Sequence, residues 1–141
     1  MGLAYYIKTE VNANPDTGFL MTRAGVDNKN VEKAITIILK EYRKISQKTV
    51  PQTEFKKTKD YIKGKMALLL ESSDALASFY GEQELLKRGI LTQKEIYAKI
   101  NKVSVNDVLK FSQDIFQPKK LNLALIGPFK DKRKFQKLLK F

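Results

Sequence analysis

Apolar and polar positions alternate in two different ways along this chain, and the change from one to the other marks the elements. Residues 3 to 12 and 18 to 26 are rich in Tyr, Ile, Val, Thr and Phe. Between them Ala13-Asn14-Pro15-Asp16-Thr17-Gly18 is dense in turn formers, so the pattern predicts a β-hairpin. From Asp27 onward the period lengthens. Val31, Ala34, Ile35, Ile38, Leu39, Tyr42 and Ile45 recur on one helix face, which predicts a helix over 29–47 behind an Asp27/Asn28/Asn30 cap. Thr49-Val50-Pro51-Gln52 combines a capping-box pattern with proline in the first turn and opens a second helix, with apolar positions at Phe55, Ile62, Met66, Leu69 and Leu70. Gly64 inside it predicts close packing at that point, since a helical glycine costs about 1 kcal/mol relative to Ala.

Ser72-Ser73-Asp74 predicts a break and a new cap before Ala75, Leu76, Phe79, Tyr80 and Leu86, and Gly89 ends that helix. Two more capping boxes, Thr92–Glu95 and Ser104–Asp107, open short helices that turn Ile96, Ile100, Val108, Phe111 and Ile115 inward. Leu121-Asn122-Leu123-Ala124-Leu125-Ile126-Gly127 is strongly apolar apart from Asn122 and predicts a buried strand, followed by a last helix over 132–140 with Phe135, Leu138 and Leu139 inward. The expected fold class is α+β: an antiparallel sheet, made of the hairpin plus one late strand, covered by a layer of about five helices. Three strands leave exposed edges beside a strongly apolar run. Residues 1–141 are therefore expected to be a single domain or the C-terminal part of a larger one.

Composition narrows the chemistry. The 141 residues include no Cys and no His, which excludes a thiolate nucleophile, a disulfide, an imidazole metal ligand and a Ser-His-Asp triad within the chain. The longest apolar runs, such as Ala67-Leu68-Leu69-Leu70, fall well short of the ~20 residues a membrane span needs. With no signal-peptide pattern at the start, the expected location is cytoplasmic. Net charge is +12, concentrated in residues 29–66 at +7 and 104–141 at +6. In the first segment Lys33, Lys40, Arg43, Lys44, Lys56, Lys59, Lys63 and Lys65 interleave with apolar residues as solvated helix faces do. Only four of the 27 basic residues are Arg, the side chain that grips phosphates and guanines in bidentate fashion, so nucleic-acid binding is disfavoured. The alternative it leaves is a small basic module touching nucleic acid or an anionic surface through the first helix and Lys130 to Lys140. Glu71, Asp74, Glu82 and Glu84 read as structural carboxylates, and Asp16 and Asp27 as turn formers.

Six segments, in order, carry a family resemblance: Gly2-Leu3-Ala4-Tyr5-Tyr6-Ile7; Thr17-Gly18-Phe19-Leu20; Thr49 to Lys59; Leu69 to Asp74; Ile100 to Val108; and Leu123-Ala124-Leu125-Ile126-Gly127-Pro128. Together they resemble the C-terminal-type, non-catalytic domain of the insulinase, pitrilysin and mitochondrial processing peptidase family of zinc metallopeptidases. The resemblance implies two clam-like halves closing over an extended peptide, with zinc held in the other half on an H-x-x-E-H motif that this His-free chain cannot supply. It implies a zinc-bearing catalytic half and a peptide substrate as partners, with no cofactor in this chain. It also implies a substrate-binding role for Tyr5, within Leu3-Ala4-Tyr5, beside an Arg seven residues earlier that would precede residue 1. Tyr6, on the other face of the strand, is expected in the core.

Overall fold

A computed structural model describes residues 2–86 and 89–140. In chain order the elements are β1 (Tyr6–Ala13), β2 (Gly18–Gly25), α1 (Val31–Gln47), α2 (Gln52–Leu69), α3 (Ser73–Leu85), α4 (Gln93–Lys102), α5 (Val105–Ile115) and α6 (Lys132–Gln136). The fold class is α+β. The chain divides into two compact units, residues 1–48 with 109–141, and residues 49–108.

In the first unit β1 and β2 form an antiparallel hairpin, in register from Tyr6 opposite Gly25 to Ala13 opposite Gly18. Its turn closes through Asn14 N–H donating to the Thr17 carbonyl at 2.8 Å. Thr9 and Thr22 face each other across the ladder with hydroxyls 2.8 Å apart, and Thr22 in turn hydrogen-bonds the Tyr42 hydroxyl of α1. This hydroxyl chain fixes which face of the hairpin meets α1, because side chains alternate along a strand. Val31, Ile35 and Leu39 of α1 and Phe135 of α6 form the buried core, with Val26, Tyr42, Leu121, Phe129, Leu138 and Leu139 packed round it. Tyr42 stacks on Phe116 with centroids 4.4 Å apart, and Phe129 meets Phe135 edge-on at 5.1 Å. Such pairs add about 1 kcal/mol beyond the area they bury.

The second unit, by contrast, holds no buried apolar residue among those described. Its helices are set by their caps. Ser72 accepts from Ala75 N–H at the start of α3, and Thr92 and Glu95 complete a reciprocal capping box at α4. Ser104 and Asp107 do the same ahead of α5, with Ser104 N–H donating to Asp107 Oδ2 at 2.8 Å and Asp107 N–H to Ser104 Oγ at 3.2 Å. Gly89 adopts φ +72°, a left-handed value that suits a glycine after a helix.

Several expectations need correction. The late strand is absent: among the described residues the sheet has two strands, and Leu121–Ile126 joins no ladder. An apolar run becomes a strand only where another strand's backbone lies alongside it, and none does here. Leu123 and Leu125 instead line a cleft of about 580 Å³ with Phe129, Phe135 and Leu139, and Ile126 is fully exposed. The last helix stops at Gln136. Thr49 does not cap α2, because Pro51, extended at ψ 140°, takes the cap position without a side-chain bond. Phe111 is 64% exposed, since the covered face of α5 runs through Val108, Ser112 and Ile115 and Phe111 lies on its flank. Ile62 and Leu69 are exposed as well, and a Cβ placed on Gly64 would meet nothing within 4 Å, so no close packing demands glycine there.

Candidate functional site

Tyr5 lies one residue ahead of β1. Its N–H donates to the Gly25 carbonyl at 2.8 Å, which anchors its backbone to the end of β2. Its side chain is 84% exposed, and its hydroxyl has no partner among the described residues. A fixed backbone carrying a solvent-facing phenol can offer one hydrogen-bond donor to a ligand without surrendering an internal bond.

Tyr6 corrects the sequence reading. It is 60% exposed rather than buried, and its ring lies over Gly25, its cross-strand partner. Strand parity puts Tyr6 on the face opposite Thr9 and Thr22, away from α1, so it has no helix to pack on. The same face places Lys8 directly opposite Arg23, a like-charge pair that would weaken the hairpin. Glu10 offsets it. Lys8 pairs with this carboxylate, and the hydrogen bond and charge of Lys8, helped by the charge of Arg23, hold Glu10 below its ordinary pKa.

Two further carboxylates are occupied locally. Asp27 caps the turn ahead of α1, and the Lys29 N–H and ammonium hold its pKa low. Hydrogen bonds from the Thr92 hydroxyl and N–H lower Glu95 in the same way. No group of three or more Asp and Glu side chains comes together to hold a metal among the described residues, and the chain has no His or Cys to add. The donor set therefore does not fit the family's zinc. Part of the basic charge is likewise used internally: Lys134 pairs with Glu32, Lys120 with Asp114, and Arg43 donates to the Lys140 carbonyl. No helix among the described residues is long and apolar enough to cross a membrane.

Known proteins match this chain consistently. Residues 1–62 match the model of the peptidase M16 inactive domain. An uncharacterized zinc protease of Streptomyces coelicolor is 26% identical over 132 residues, 94% of this chain and 28% of that protein. The mitochondrial-processing peptidase subunit beta of Saccharomyces cerevisiae is 24% identical over 98 residues, 70% of this chain and 21% of that one. Among solved structures, a chain of complex III2 from Candida albicans, with Inz-5 bound, superposes with a TM-score of 0.70 at 26% identity, over 77% of this chain and 26% of its own length.

These matches make the inactive domain of zinc peptidases the class of protein that the chain most resembles. The chain is similar to the C-terminal, inactive-domain type of the insulinase, pitrilysin and mitochondrial processing peptidase family. It spans 21 to 31% of the length of the curated relatives it matches.

Proposed function

We propose that this chain forms one wall of a peptide-enclosing chamber opposite a zinc-bearing half, and that Tyr5 contacts the bound peptide. The observation that carries this reading is the exposed Tyr5 phenol, held by a main-chain bond to Gly25 and free of internal hydrogen bonds among the described residues. The yeast relative is by name a subunit of a processing peptidase, and the Candida albicans chain is part of a complex. Both support a role exercised together with another half or subunit.

In this reading the Tyr5 hydroxyl donates to the carbonyl oxygen of an extended peptide, and the bond strengthens as negative charge develops on that oxygen. The zinc belongs to the other half. Tyr5→Phe keeps the ring and removes only the donor. In the assembled peptidase it is expected to lower kcat by at least about tenfold with KM little changed, the mark of a contact that tightens in the transition state. Unchanged kcat and KM would remove Tyr5 from the site.

A further inference from the structure

The covered face of α2 follows its apolar stripe only in part. Phe55, Lys59, Lys63, Met66 and Leu70 are the half-buried positions, and Ile62, Leu68 and Leu69 face solvent. Two lysines thus occupy the middle of a packed helix face. Lys59 Nζ donates to the carbonyls of Asn101 at 3.0 Å and Val103 at 2.6 Å, and sits 4.5 Å from the centroid of the Phe55 ring. Those two carbonyls and the ring face account for the three N–H donors of an ammonium group. Lys63 Nζ reaches Asn101 Oδ1 at 3.4 Å and Asp60 at 3.1 Å, and the Tyr97 hydroxyl donates to the Lys63 carbonyl at 2.8 Å.

We infer that Lys59 is an ammonium latch that caps the C-terminal end of α4 from α2 and fixes the α4–α5 junction. The chemistry of that junction requires such a group. A helix leaves its last carbonyls without intrahelical donors, and the partial negative charge there favours a cation. Val103 leaves the helix at ψ 136°, so its carbonyl turns away from any continuing turn. On the far side Ser104 N–H is already taken by Asp107. Lys59 supplies the missing donors on the near side, and the junction is satisfied in both directions. In a unit with no buried apolar residue among those described, a charge-assisted contact of this kind is a principal tie between two helices. This latch is independent of the peptide-binding role proposed for Tyr5.

Two measurements on the full chain test it. Amine acylation of the wild-type protein should label Lys59 at least about tenfold more slowly than the exposed Lys56 and Lys57, because its ammonium is seated on two carbonyls. Lys59→Met keeps the length of the side chain and removes the charge. Hydrogen exchange at the end of α4, around Ile100 to Val103, should then accelerate by about tenfold, with α1 unchanged, whereas Lys56→Met should match wild type. Equal labelling of the three lysines overturns the latch, as does wild-type exchange at α4 in Lys59→Met. If Lys59→Met unfolds altogether, the wild-type labelling decides alone.

Discussion

Lys59 and Tyr6 show at the scale of single residues why composition and period can mislead. Lysines interleaved with apolar residues describe a solvated face in most helices, yet a long aliphatic stem with three donors can also lie along a packed surface and cap a neighbouring helix. The sequence holds no mark of this, because Asn101 and Val103 are more than 40 residues away and offer only main-chain oxygens. Tyr6 fails for a different reason. Alternation sets Tyr6 on the face opposite Thr9, but does not say which face receives α1, and the Thr22–Tyr42 contact puts α1 on the Thr9 side. Gly64 gives a prediction at this scale. It sits inside α2 with open space where a Cβ would go. Gly64→Ala should therefore stabilise the second unit, by about 0.5–1 kcal/mol from helix propensity and lost unfolded-state freedom. A higher urea midpoint for the variant checks it, and a lower one would mean that a close neighbour occupies that space.

Among the elements, most of those with their own chemical punctuation were legible, the Thr49 pattern ahead of α2 being the exception. The hairpin turn, the Ser72 restart and the Thr92 and Ser104 boxes depend on residues three or four apart, so sequence spacing alone specifies them. The late strand was not, since a strand needs a partner backbone that its own residues cannot provide. The Thr92–Glu95 box makes a prediction with a definite sign. Thr92 holds the Glu95 carboxyl below its ordinary pKa near 4.5, so the folded state binds the proton less readily than the unfolded one. The contribution is complete above that ordinary value and is lost as pH falls through the lower, folded pKa. Helicity measured by circular dichroism should decline on acidification over that range. Glu95→Gln, which keeps a capping partner but cannot ionise, should flatten the part of the decline that belongs to α4. Thr92→Ala should cost about 1 kcal/mol at neutral pH, as loss of a Thr cap does elsewhere.

At the level of the whole molecule, the absence of His and Cys carried more information than the charge of +12. In a chain similar to the inactive domain of zinc peptidases, it leaves no imidazole or thiolate to hold a metal. Large apolar side chains remain exposed in both units, among them Val11, Leu68, Leu85 and Ile126. The central claim, a non-catalytic wall working with a zinc-bearing half, is tested most directly by peptide cleavage and bound zinc measured for this chain alone, for a half carrying H-x-x-E-H alone, and for the two together. The chain alone should hold no stoichiometric zinc and cleave nothing, and the mixture should cleave faster than the zinc-bearing half by itself. Metal-dependent cleavage by the chain alone, or a mixture no faster than the zinc-bearing half, would contradict it.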